Sequence, residues 1–250
     1  MESSPTEVPA VGISPEELGL LVSMTDPMPL VAIDRDPADP AVEQEALAGL
    51  VARGILVGPD AQGYLGLGRG EAGVLAGAMV ADEALVLQST TSDGMVGLAL
   101  FAADGRIVCQ KTDDRGHAFA LVDRGWATAA ARAFLTEGDG PETHGAEVVG
   151  SIEQVDWNAA RAADDEDEAI RLLPGFPGFA RALFASDRFV SVRRIARSAQ
   201  GATHERASTL FPAADPRWFW SLTRNQTGDP MEVRRMTGGS VRQELAELIP

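Results

Sequence analysis

The sequence predicts an α+β protein with pseudo-twofold organisation, in which two β-meanders join into a central antiparallel β-sheet with flanking helices and helical bundles. Two observations support this prediction. Segments with apolar residues at helical spacing alternate with runs of short strands that end at Gly, Pro, Asn or Asp turns. The order of helices, meander and helix occurs twice in the 250 residues, in halves of similar length.

The predicted domain boundaries follow from composition. Residues 1–12 lack an apolar pattern and are expected to be a disordered tail, and residues 13–136 form the N-terminal α+β half. Residues 137–150 are predicted to be an acidic linker because they are rich in Gly, Glu and Asp. Residues 151–250 form the C-terminal α+β half.

The N-terminal half begins with two capped helices. Ser14 is an N-cap that is followed by a proline at the first helical position and by Glu17 at the capping-box position. Asp39 begins a second helix, which ends at Gly54. Two short strands and a third helix follow, at residues 55–57, 64–65 and about 71–81. Helix, hairpin and helix in this order resemble a winged-helix element.

A meander of four strands and one helix completes this half. The strands are predicted at residues 84–89, 94–102, 106–111 and 118–123. Asp104-Gly105 is a strong hairpin signal between the second and third strands, and residues 113–116 form the next turn. Apolar residues at helical spacing predict a helix over 125–135.

The C-terminal half repeats this order. Helices are predicted over 152–173, 179–186 and 240–249, and strands over 188–198, 203–211, 217–222 and 231–236. The LLPGFPGF segment at 172–179 is either a core plug or an apolar loop that faces a partner. Trp218 and Trp220 share one face of a strand and Phe219 occupies the other, which indicates burial on both faces.

Charge and composition exclude several classes of function. The net charge of −16 repels phosphate and argues against nucleic-acid binding. No secretory signal or membrane-spanning run is visible, so a cytoplasmic protein without membrane contact is expected. Residues 188–250 contain ten arginines and six acids. These arginines face either a partner or the acidic part of the same chain, and the sequence leaves both possibilities open.

No catalytic, metal-binding or cofactor-binding motif is complete, so no enzyme, metal or cofactor is predicted. Residues 68–73 match G-x-G-x-x-G, but only a weak strand precedes them, and Glu71 brings negative charge to the phosphate position. His117 lies near Asp113 and Asp114 but has no His or Cys at ligand spacing. Cys109 lies in the middle of a strand and is expected to be a packed thiol.

One family resemblance suggests a function. Residues 43–57 (EQEALAGLVARGILV) contain the phrase L-x-x-R-G-[LI]-[LV] at Leu50–Leu56. Together with the meander, helix, meander and helix that follow, and with the C-terminal helix, they resemble the EspG family. EspG proteins are cytosolic chaperones of actinobacterial type VII (ESX) secretion. Their fold is pseudo-twofold α+β, with a central antiparallel sheet and flanking helical bundles.

The resemblance implies a chaperone that binds helical PE–PPE-like or other type VII secretion substrates and keeps them soluble. Family members hold the substrate tip with a sheet loop and the C-terminal helical bundle. The matching partner-binding positions in this sequence are Asp104, Asp113, Asp114, Arg115, Phe176, Phe179, Leu183 and Phe184. The oligomeric state is open between monomer and homodimer.

Two other functions remain alternatives. The winged-helix-like segment at 41–80 could be a degenerate DNA-binding module of a regulatory protein, although a recognition helix should carry several basic residues. Residues 47–53 contain one basic residue, and residues 71–81 contain no basic residue. The other alternative is an enzyme whose site is assembled from distant acids and arginines.

Overall fold

The structure is a computed structural model that describes residues 10–24, 39–58, 65–68, 70–91, 94–135, 144–197, 203–213, 215, 217–225 and 229–250. Within them the chain forms eight helices and twelve strands. In chain order these are β1 (Val11–Ile13), α1 (Pro15–Ser23), α2 (Pro40–Ala52), β2 (Leu56–Val57), β3 (Gly66–Leu67), α3 (Glu71–Met79), β4 (Glu83–Thr91), β5 (Gly94–Ala103), β6 (Arg106–Asp113), β7 (Gly116–Val122), α4 (Arg124–Leu135), β8 (Ala146–Ile152), α5 (Gln154–Arg161), α6 (Glu166–Leu172), α7 (Pro177–Ala185), β9 (Phe189–Arg197), β10 (Thr203–Pro212), β11 (Trp218–Arg224), β12 (Met231–Thr237) and α8 (Gly238–Leu248).

Ten of these strands form one sheet, in the order β1-β7-β6-β5-β4-β9-β10-β11-β12-β8. β2 and β3 pair in a separate two-stranded hairpin. The predicted α+β class with a large antiparallel sheet is therefore confirmed. The two meanders are β4 to β7 and β9 to β12, and each strand in them follows its neighbour in both sequence and sheet order.

The chain divides into two compact units. Unit 1 contains Met1–Val86, Val96–Ala130 and Ile249–Pro250, and unit 2 contains Leu87–Met95 and Ala131–Leu248. This division differs from the predicted halves. The tip of the β4–β5 hairpin belongs to unit 2, and the last two residues of the chain belong to unit 1.

Unit 1 has the predicted caps. The Ser14 hydroxyl accepts a hydrogen bond from the backbone N–H of Glu17, and the Glu17 carboxylate accepts one from the backbone N–H of Ser14 at 3.0 Å. Arg53 also donates to Glu17 at 2.8 Å and to the carbonyl of Gly12 at 2.6 Å. The arginine of the L-x-x-R-G phrase therefore joins the end of α2 to the start of α1.

Two strands lie where the sequence predicted a tail and a linker. In β1, Val11 is opposite Phe119 and Ile13 is opposite His117, so residues 11 and 12 of the predicted tail are strand; residues 1–9 lie outside the described residues. β8 occupies residues 146–150 of the predicted linker and pairs with β12. β1 and β8 are the two end strands of the sheet, and each pairs with a single neighbour, β7 or β12.

The predicted helix over 152–173 is also corrected. Ile152 is the last residue of β8, and two helices follow in place of one, α5 and α6. They are separate because Asp165 begins a new helix, where its carboxylate accepts a hydrogen bond from the backbone N–H of Glu168 at 2.7 Å.

Helices cover both faces of the strands β9 to β12 in unit 2. On one face, α5, α6 and α7 pack in an aromatic cluster around Phe179. The ring centroid of Phe179 lies 5.2 Å from that of Phe211, 5.5 Å from that of Trp220 and 6.0 Å from that of Trp157. On the other face, α8 packs against the sheet through Val241 and other apolar residues. These residues line a small pocket between α8 and the sheet.

Side chains of residues 218–220 in β11 pack on both faces of the sheet, as their alternation along the strand predicts. Trp220 contacts Phe179 on the α7 face, and a Cβ at Gly238 of α8 would lie 3.7 Å from the ring of Phe219 on the other. All three aromatic side chains are half-buried rather than fully buried.

Truncation of Phe179 to alanine should lower the free energy of unfolding by about 3–5 kcal/mol, because it empties the centre of the aromatic cluster. Urea denaturation followed by tryptophan fluorescence would measure the change. The matched control is Phe184→Ala in the same helix. Phe184 is 46 % exposed, so its loss should change stability by only about 0.5 kcal/mol. Similar decreases in the free energy of unfolding of both variants would show that Phe179 is not more deeply buried than Phe184.

Candidate partner-binding surfaces

The β5–β6 turn presents Asp104 to solvent. Asp104 has φ +51° and Gly105 has φ +72°, so both central residues of the turn are left-handed. This is the backbone of a tight hairpin, as Asp-Gly predicts. Both residues are exposed, and the Asp104 carboxylate is available to a partner.

The β6–β7 turn presents three charged residues. The Asp113 carboxylate accepts a hydrogen bond from the backbone N–H of Arg115 at 2.8 Å, which stabilises the turn. Asp113, Asp114 and Arg115 are exposed. The turn lies at the far end of the eight-residue strand β6 from Asp104, at a distance of about 24 Å. The structure therefore does not bring the two predicted loop sites together.

The C-terminal candidates differ in accessibility. Phe179 and Leu183 are buried in the unit 2 core, so their side chains are not accessible to a partner in this structure. Phe184 is exposed because it lies about 140° around α7 from Phe179. Phe176 is half-buried, and a Cβ at Gly150 would lie 2.9 Å from its ring. Of the LLPGFPGF segment, Leu173 and Phe179 are in the core, whereas Leu172 is exposed.

Several arginines of the C-terminal segment pair with acids of that same segment. Arg206 and Arg234 both contact the Glu244 carboxylate on α8, the latter at 3.3 Å. Arg193 donates to Glu205 at 2.6 Å. Other arginines of the segment contact residues outside it: Arg188 donates to the Ser89 hydroxyl at 3.1 Å and to the carbonyl oxygen of Phe134 at 3.1 Å. No periodicity in the sequence singles out Glu244, so its role emerges only from the fold.

A small pocket lies between α8 and the sheet of unit 2. Its lining includes Ser208, Ser221 and Glu244, and its volume is about 20 Å³. The hydroxyl of Thr223 lies 2.9 Å from that of Ser208 and 3.1 Å from that of Ser221. This volume accommodates about one water molecule, whereas ligand sites usually need several hundred Å³. The pocket is too small for a metabolite.

The nucleophile and metal candidates of unit 1 are buried. Burial raises the pKa of the Cys109 thiol to about 12, so this thiol is not an activated nucleophile. His117 is buried, and its Nδ1 lies 2.9 Å from the Thr112 hydroxyl and 3.2 Å from the Gln110 amide nitrogen. Among the residues that the structure describes, no three His, Cys, Asp or Glu side chains form a group that could hold a metal.

The winged-helix-like element has the predicted order of α2, β2, β3 and α3. α2 contains Glu43 and Glu45 and no basic residue, and α3 contains only the acidic Glu71. Neither helix can neutralise DNA phosphates. In the G-x-G-x-x-G match, a Cβ at Gly68 would overlap the carbonyl oxygen of Gly54, so this glycine permits close packing of two backbone segments.

Within the described part of the chain, no helix combines the length and apolar character that crossing a membrane requires.

No protein-family model and no curated protein sequence matches this chain. The fold itself defines a class, namely α+β proteins with one large antiparallel sheet and helices packed on it.

Among solved structures, the chain is similar to the type VII secretion system chaperone EspG5 of Mycobacterium tuberculosis. That protein was solved in complex with the PE25–PPE41 dimer. The TM-score is 0.60 at 10 % sequence identity, and the match covers 96 % of this chain and 95 % of EspG5. At this identity, the comparison shows that the two proteins share a fold.

The stability of the protein should fall as pH drops through about 6.5, because of His117. Burial lowers the pKa of this histidine, although the nearby Asp113 carboxylate opposes the shift. Below pH 6.5 the unfolded chain therefore takes up a proton that the folded protein does not bind, and unfolding becomes more favourable.

Urea denaturation between pH 5 and pH 8 would measure this dependence, with His117→Asn as the comparison. The variant should be less stable at pH 8, where it loses the native contacts, but its stability should fall less steeply below pH 6.5. An equally steep fall in both proteins would show that His117 does not cause it.

Proposed function

We propose that this protein is a cytoplasmic chaperone of type VII secretion, which binds helical PE–PPE-like or related substrates and keeps them soluble. The observation that carries the proposal is the similarity to EspG5, which spans nearly all of both chains. Because it includes both compact units, it concerns the whole architecture rather than one common motif.

Two kinds of surface would contribute to substrate binding. Phe184, with the accessible part of Phe176, would bury apolar area against a helix of the substrate, which supplies affinity. The charged turns at Asp104 and at 113–115 would select substrates with complementary charge. Since these turns are about 24 Å apart, a compact helical tip would contact one of them at a time.

A binding role suits the chemistry of the described residues better than catalysis. The thiol of Cys109 is protonated, His117 is engaged by Thr112 and Gln110, and the α8 pocket accommodates about one water. We therefore propose no reaction and no cofactor for this protein.

Co-expression with helical PE–PPE-like pairs encoded in the same genome tests the proposal. The expected result is a complex that survives affinity purification and gel filtration, together with more soluble substrate than in cells without this protein. If every such pair remains unbound and equally insoluble in its presence, the proposed function is wrong.

Phe184→Asp should weaken substrate binding at least about tenfold, because it replaces an apolar contact with a charge that must be desolvated. Val80→Asp is the control, since Val80 is 64 % exposed and follows a helix of unit 1. Isothermal titration calorimetry with the purified substrate complex would compare both variants with the parent protein. Equal affinities for all three would exclude Phe184 from the binding surface.

A further inference from the structure

β8 is the last strand of the ten-stranded sheet. Within the described residues it pairs only with β12, so its other edge presents backbone N–H and C=O groups. The edge is also apolar: Val148 is 58 % exposed and Val149 is 41 % exposed. Exposed edges of folded proteins usually carry Lys or Pro, which prevent pairing with another chain. β8 contains neither of them, and its one charged residue is Glu147.

A β-bulge changes which side chains of β8 share a face. Gly150 is opposite Val233 and Val148 is opposite Arg234, so Val149 is an extra residue between two consecutive positions of β12. Arg234 contacts α8, which places Val148 on the α8 face of the sheet. Gly150 lies on the opposite face, against Phe176, and alternation returns Val149 to the α8 face.

This pattern makes the strand compatible with a second copy of itself. We propose that β8 pairs antiparallel with β8 of a second copy of this chain, around a twofold axis between Val148 and Val149. Val148 is then opposite Val149 of the second copy, Glu147 is opposite Gly150, and Ala146 is opposite Ser151. In each pair both residues lie on the same face of the sheet, and two like charges are never opposed.

A one-residue shift of this register would pair side chains that lie on different faces of the sheet. With the axis at Val149 itself, Glu147 would be opposite Ser151, and these residues point to different faces. The register is therefore set by the bulge. Its central contacts are two valine pairs on the α8 face, which cover the exposed apolar side chains of the edge.

Sedimentation equilibrium of the purified chain tests the proposal without any substrate. The parent protein should show a concentration-dependent monomer–dimer equilibrium. Val149→Lys should weaken the dimer at least about tenfold, because it brings two like charges together near the axis. Val155→Lys is the matched control: Val155 is 71 % exposed on α5, outside the strand, and its change should leave the dimer intact.

A pair of double variants tests the register. Ala146 and Ser151 are exposed and about 17 Å apart within one strand, so they interact only across the axis. A146E/S151K should form two ion pairs between the copies, whereas A146E/S151E should oppose two pairs of like charges. The first variant should dimerise about tenfold more tightly than the second at low salt.

Several results would overturn the proposal. A parent protein that stays monomeric at every concentration, or a Val149→Lys variant that dimerises as the parent does, would exclude this interface. Equal dimerisation of the two double variants would exclude the register. If the parent is monomeric and Val149→Lys instead loses a secretion substrate, the edge binds the substrate. The dimer would then be excluded while the proposed chaperone function would remain.

Discussion

Phe179 packs against Trp157, Phe211 and Trp220 on one face of the unit 2 sheet, and the surface that the C-terminal helices present depends on this contact. Burial of an aromatic side chain among three others stabilises the folded chain far more than an exposed ion pair does. It also sets the rotation of α7 about its axis. With Phe179 directed inward, Leu183 follows it into the core and Phe184 is left in solvent.

On the opposite face of this sheet, ion pairs as well as apolar contacts hold α8. α8 contributes apolar residues, but it also brings Glu244 within reach of Arg206 and Arg234. These side chains are partly buried, so the Coulomb attraction is screened less than at the surface, and removing the glutamate would leave two cations close together. Two of the arginines in the last sixty residues thus help to attach α8 to the sheet.

The candidate surfaces divide between loops and helices. The two charged turns have defined conformations: one has a left-handed Asp-Gly backbone, and the other has a hydrogen bond to the Asp113 carboxylate. Such turns present charge in a defined position, which favours selection among partners. Exposed apolar residues such as Phe184 supply the area whose burial provides affinity.

Local signals in the sequence determined the class of fold, most of the helices and strands, and the Asp-Gly hairpin. The Ser14 capping box and the alternation of the meanders predicted these elements correctly because caps and periodicity act over a few residues. Only the tertiary structure decided the rest. β1 and β8 are strands because an open sheet edge accepts them, which no short pattern reveals. Likewise, Phe179, Leu183 and Phe184 are all apolar residues of one predicted helix. Only the packing of that helix against the sheet decided which of them are buried and which is exposed.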